Sequence, residues 1–303
     1  MRMRTDETEL RLAWHDIDVD GRGASYGVGG EGPNVVFLHG WGLSGRTYRA
    51  ALKRLLAQGL RVFAPALPGF DRTAPLPGDG DLTGYAAWVD AFCDAVDLNE
   101  PVVLMGHSFG GGVAIQTAHD FSARVRGLVL VNSIGGSAWR RQGSIVQSVS
   151  ERPLWDWGLH FPQDVMPVRQ MRRVLPVILE AAIPNAMLHP RAFWHAAAVA
   201  RSADLTEELQ ELKARRLPVV VLWGENDELV TRASYDAMIE ALGNPLSITV
   251  GGTHSWMIAD PDAFGEVITN ILPIAMGARA AERTPGPHEH DLETLHESPT
   301  SAA

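Results

Sequence analysis

The chain has 303 residues, 46% hydrophobic and 20% charged, which excludes a disordered or collagen-like chain and allows a sizeable buried core. Its net charge of −10 argues against nucleic acid, whose phosphates need clustered cations. With one cysteine, Cys93, and no signal-peptide core in MRMRTDETELRL or run of about 18 apolar residues elsewhere, the expectation is a soluble, cytoplasmic protein without a membrane span.

Residues 9–28 hold two short alternating runs around Asp20-Gly21, the pattern of an antiparallel hairpin at a sheet edge. Short apolar runs then alternate with amphipathic stretches: 35–38 and 44–58, 61–64 and 83–97, 101–105 and 109–121, then 127–131. Apolar runs of four to five residues bounded by Gly, Pro or Asn read as strands buried on both faces, and their alternation with helices predicts a parallel sheet. The helix at 83–97 carries Tyr85, Trp88, Val89, Phe92, Cys93 and Val96 on one stripe, with Thr83 as its expected N-cap and Cys93 as a buried structural thiol.

From Ser133 the rhythm stops. In residues 133–206, Pro153, Pro162, Pro167, Pro176, Pro184 and Pro190 interrupt helical patches such as 168–183 and 191–203, and Trp139, Trp155, Trp157 and Trp194 accompany them. This reads as a helical lid inserted over the sheet, with a possible hinge at Ile134-Gly135-Gly136. The lid carries eight arginines (140, 141, 152, 169, 172, 173, 191 and 201) against five acids (Glu151, Asp156, Asp164, Glu180 and Asp204). Such a surface is either solvated helix faces or a means of recruiting acidic or carrier-linked acyl groups. Its tryptophans, Met166, Met171, Met187 and Phe193 read as lid core or as the wall of an apolar cavity.

The alternation resumes with strand 217–223, helix 231–242, strand 246–250 and helix 262–276, the last opened by Asp260 as N-cap and Pro261 in the first turn. The expected division is a core of 1–132 and 207–277, a lid of 133–206 and a disordered tail of 278–303. The tail's His288, His290 and His296 could form a metal tract, but nothing nearby would order them, and no metal is expected.

Within 101-PVVLMGHSFGGG-112, Gly106-His107-Ser108-Phe109-Gly110 follows a strand and opens a helix. This is the G-x-S-x-G pattern in the context its chemistry requires: a strained turn that exposes the serine Oγ, next to amides at a helix N-terminus that favour an anion. A serine needs a base, and the base an orienting carboxylate. Asp227 follows strand 217–223 and His254 follows strand 246–250, both at carboxyl ends of strands and in the order Ser, Asp, His. Glu225 and Glu228 flank Asp227 as alternative acids. The positions after strand 127–131 are Asn132 and Ser133, so no carboxylate stands there. His39 and His107 sit beside the pocket, whereas His15, His119, His160, His189 and His195 read as surface or packing histidines. In 39-HGWGLSGR-46 the glycines let the backbone approach a substrate carbonyl, making the Trp41 amide the second oxyanion donor beside that of Phe109.

HGWG at 39–42, LPGF at 67–70, GHSFGG at 106–111 and the loops with Asp227 and His254 resemble, in order and spacing, the α/β-hydrolase-fold serine hydrolases with a helical lid. The likeness spans about 9–276. It implies Ser108 as nucleophile, His254 as base, Asp227 as its orienter, the Trp41 and Phe109 amides as oxyanion hole, a small-molecule acyl substrate, and no cofactor. Ala66 and Asp71 depart from the family's usual PDLPGFGxS, which puts the shape of that loop at the pocket mouth in question. A serine at the elbow argues against dehalogenation and epoxide opening, which use aspartate there, and the HGGPG of proline iminopeptidases is absent. The HGWG loop also resembles that of carrier-protein methyl ester esterases. Carbon–carbon bond hydrolysis, perhydrolase or haloperoxidase chemistry, and a non-catalytic ligand receptor on the same fold stay open.

Overall fold

The structure, a computed structural model, describes residues 11–136 and 168–277, and the side chains of all of these except 168–173. The tail, its histidine tract and residues 137–167 of the expected lid, with Trp139, Trp155, Trp157 and Met166, lie outside the described residues, as does the side chain of Met171.

Eight strands form one sheet: β1 (Ala13–Val19), β2 (Arg22–Gly29), β3 (Asn34–Leu38), β4 (Arg61–Pro65), β5 (Val102–His107), β6 (Val125–Val131), β7 (Val219–Gly224) and β8 (Leu246–Val250). Their spatial order is β1-β2-β4-β3-β5-β6-β7-β8. The hairpin β1–β2 turns at Asp20 and Gly21, both at positive φ, and β2 pairs antiparallel with β4. Every pairing from β4 onward is parallel. All the parallel strands therefore present their carboxyl ends along one edge.

The helices are α1 (Arg49–Ala57), preceded by a 3₁₀ turn at Gly45–Tyr48, α2 (Leu82–Ala95), α3 (Phe109–Asp120), α4 (Val168–Leu188), α5 (Pro190–Ser202), α6 (Thr206–Ala214), α7 (Arg232–Leu242), α8 (Trp256–Ala259) and α9 (Pro261–Ala275). Successive side chains of a strand point to opposite faces, and the buried residues sort accordingly. Val36, Leu38, Leu104, Leu128 and Leu130 join a core with α2, α3, α6 and α7. Val35, Phe37, Val103, Met105, Val129 and Val131 join one with α1 and α9 on the other face.

Two expectations are corrected. The N-cap of α2 is Asp81, whose carboxylate accepts from the Gly84 amide, and Thr83 lies inside the helix. Asp outcompetes Thr because its carboxylate reaches the amide three residues on at the start of the dipole. Pro176 and Pro184 do not interrupt a helix, since α4 runs through both. A helix tolerates such losses when packing on one face holds it, and here Val174 and Ile178 are buried. The Ile134-Gly135-Gly136 segment is packed rather than loose: a Cβ on Gly136 would lie 1.9 Å from the Ser234 carbonyl oxygen, and the Gly135 carbonyl accepts from Leu205 N–H. Elsewhere Asp260 caps α9, with Pro261 at its first position. Cys93 is fully buried, and desolvation pushes its thiol up to about 12, the state of a structural cysteine.

Candidate active site

Ser108 stands between β5 and α3 at φ 54° and ψ −118°, a conformation disfavoured for any residue with a Cβ. The surroundings hold it there. Its amide donates to the Val131 carbonyl on β6, and its carbonyl accepts from Gly111 N–H in the first turn of α3. The turn is so tight that a Cβ on Gly106 would lie 2.3 Å from the Gly110 carbonyl oxygen, and one on Gly110 would lie 2.2 Å from that of Leu38. Glycine is therefore required on both sides of the serine.

His254 and Asp227 come from the loops after β8 and β7. His254 Nδ1 lies 2.8 Å from Asp227 Oδ2, and both residues are buried. The same Oδ2 accepts from Asn132 Nδ2 at 2.6 Å, while Oδ1 accepts from the Leu229 and Val230 amides at 2.8 and 2.9 Å. Four donors converge on one side chain, an environment suited to a charged acceptor. With Nδ1 donating to the carboxylate, the Nε2 lone pair is left for another proton. Glu225 and Glu228 are exposed, which leaves Asp227 as the acid that meets the histidine.

Ser108, His254, Trp41 and Phe109 all line one pocket, together with Gly40, His107, Ile134, Ala197, Leu229 and Val230. The sequence-derived set is thus brought together, with Asp227 behind it. Among the described residues no carbonyl accepts from the Trp41 or Phe109 amide. The Trp41 indole donates to the Phe193 carbonyl at 2.7 Å and packs on the Phe193 ring at 4.5 Å, so α5 fixes this wall. Asn185 of α4 donates to the Gly42 carbonyl and accepts from the Asp71 amide.

Asp71 does not reach this pocket. It lines a separate hollow with Trp14, Arg46 and Asn185, and its carboxylate accepts from Ser25 Oγ and pairs with Arg46. His39 lies beneath the pocket, donating from Nδ1 to the Gly40 carbonyl and accepting the Leu67 amide at Nε2. Burial above all pushes it down to about 4.

Sequence reasoning missed Asn132. It sits at φ 45° after β6, its Oδ1 accepting from Trp256 Nε1 at 2.8 Å while its amide group holds Asp227. The available signal was its residue type: asparagine is among the few residues that accept a left-handed conformation just past a strand.

The family model described as the alpha/beta hydrolase family matches residues 35–267. The chain belongs to this family. Among curated proteins it is 28% identical over 264 residues to a pimeloyl-[acyl-carrier protein] methyl ester esterase of Aeromonas hydrophila, covering 80% of this chain and 96% of that one. It is 28% identical over 246 residues to a non-heme chloroperoxidase of Burkholderia pyrrocinia, covering 75% and 87%. A thermophilic esterase from Thermogutta terrifontis shares the fold at TM-score 0.69 and 21% identity, covering 87% and 99%. Among the described residues no helix is long and apolar enough to cross a membrane.

Proposed function

We propose that the protein is a serine hydrolase that cleaves a carboxylic ester, or a related acyl compound, through an acyl-enzyme. The observation that carries this reading is that Ser108, held in a strained elbow, lines the same mostly apolar pocket as a histidine already bonded to a buried carboxylate. Ser108 Oγ attacks the acyl carbon as His254 Nε2 takes its proton. The Trp41 and Phe109 amides stabilise the oxyanion. The imidazolium, held on Asp227, then gives its proton to the leaving alcohol as the carbon–oxygen bond breaks. Water, activated by the same nitrogen, releases the acid and restores Ser108. In this reading α4 and α5 belong to a lid, and α5 walls the acyl site through Ala197 and Ala200.

The test needs no substrate guess. Intact-mass analysis after exposure to a fluorophosphonate is expected to find one adduct on the wild type and none on Ser108→Ala; equal labelling of both would refute the assignment. A panel of p-nitrophenyl esters then ranks acyl length. The relative described as a chloroperoxidase supports a second reading, perhydrolysis by the same three residues, in which peroxide replaces water in the second half. Oxidation of a halide that depends on a carboxylic acid and peroxide, faster than ester cleavage, would favour it.

A further inference from the structure

His107 lies between Gly106 and the proposed nucleophile and is nearly inaccessible to solvent. Its Nε2 is 2.8 Å from the His254 carbonyl oxygen and its Nδ1 is 2.8 Å from the Tyr48 hydroxyl. A carbonyl only accepts, so Nε2 carries the proton and Nδ1 of the neutral ring is an acceptor. The Tyr48 O–H must then donate to Nδ1, and its oxygen accepts the Gly40 amide at 3.2 Å. Every link has one direction: Gly40 N–H to Tyr48, Tyr48 to His107, His107 to the carbonyl of His254.

Two independent features maintain this chain. Gly40 leaves room for it, because a Cβ there would meet His107 Nδ1 at 3.0 Å and Tyr48 Oη at 3.1 Å. The phenol is clamped against Phe37, ring centroids 4.8 Å apart. Burial, followed by the charge of His254, pushes His107 down to about 3, in keeping with a ring that stays neutral.

Resting on the reading of Ser108, His254 and Asp227 as the reacting set, we propose that Tyr48 and His107 are positioning residues. Together they form one hydrogen-bonded chain that ties the loop of the Trp41 oxyanion donor to the loop of the His254 base. The two loops leave different strands, β3 and β8, and β5 carries the link between them. The chain holds donor and base at a set separation across Ser108, and neither residue exchanges a proton with substrate.

The test compares Tyr48→Phe, His107→Leu and His107→Gln, each checked for folding by near-ultraviolet circular dichroism. It measures kcat and KM on a p-nitrophenyl ester and follows the titration of the His254 ring by ¹⁵N NMR. Tyr48→Phe and His107→Leu are expected to lower kcat about tenfold to a hundredfold with KM within about threefold, from the loss of a buried hydrogen bond. Both should also move the His254 titration. His107→Gln, whose side-chain amide can still donate to the His254 carbonyl, should recover most of the loss. A folded His107→Leu protein with kcat within about twofold of wild type and an unmoved His254 titration overturns the proposal. Should His107→Leu fail to fold, Tyr48→Phe, which deletes a single oxygen, decides by the same two readouts. Absence of ester cleavage and of any fluorophosphonate adduct in the wild type would sink the proposed reaction instead. The His254 titration in Tyr48→Phe would then judge the chain alone, and an unmoved value would overturn it.

Discussion

The loops at the carboxyl edge of the sheet and helix α5 both line the pocket, and α4 and α5 are held by different contacts from those that hold the loops. Around Ser108 and His254 the Asp227 carboxylate accepts four hydrogen bonds, the glycines beside the serine are in backbone contact, and Asp227 and His254 are buried. On α4 and α5, Ile183, Leu188 and Trp194 are exposed, Met187 is 77% accessible, and the attachment runs through separate anchors: Val174 and Ile178 in the core, Phe193 on Trp41 and Phe70, and Asn185 on the Gly42 loop. A reaction needs its atoms within fractions of an ångström, whereas choosing a substrate needs only a wall of suitable shape. On the proposed reading the first region is the place for chemistry and the second for variation in what is bound.

Substitutions sharpen that contrast. The largest effect is expected from Ser108→Ala or His254→Ala, each lowering kcat by about 10⁴ to 10⁶; steady-state assays that retained more than about a tenth of the activity would remove these residues from the mechanism. Phe193→Ala, at the main anchor of α5, should cost about 3 kcal/mol in urea unfolding. A loss below about 1 kcal/mol would mean that α5 is held elsewhere.

Asn132→Leu removes one of the two side chains that donate to Asp227 and leaves Trp256 Nε1 unpaired, so kcat should fall about tenfold to a hundredfold with KM little changed. An unchanged kcat would show that the backbone amides hold the carboxylate unaided.

The buried histidines give the site region an acid limit. His39 is depressed from 6.5 to about 4: below 6.5 the unfolded chain takes up a proton that the native ring refuses. The stability is whole above pH 6.5 and is lost as pH falls toward 4. Between pH 7 and 5 the loss is about 2 kcal/mol from this residue, so His39→Gln should show a pH dependence flatter by that amount in urea unfolding. Equal slopes would exclude His39 as a source. The smallest effect is expected of Met187→Ser, within about 0.5 kcal/mol of wild type; a larger loss would reveal that the exposed face of α4 is covered.

The strands were readable from short apolar runs because burial on both faces leaves no room for polar residues. The hairpin was readable because Asp20-Gly21 suits a turn at positive φ. The placing of Ser108 at the turn after β5, and of Asp227 and His254 in the loops after β7 and β8, was readable because strand ends and the glycines at 106 and 110 are local signals. The course of α4 through two prolines was not, since propensity is local and the packing of Val174 and Ile178 is not. Nor was the choice of Asp81 over Thr83, which depends on where the chain before α2 turns.

By itself the sequence determined the order of the elements and which of them the candidate serine, carboxylate and histidine follow, because these are encoded within a few neighbouring positions. Only the tertiary structure decided which acid among Glu225, Asp227 and Glu228 is buried against His254, that Asn132 also holds it, and that Tyr48 and His107 join two distant loops. Those contacts close across separations of up to 147 residues. They exist only once the sheet has brought its carboxyl ends to one edge.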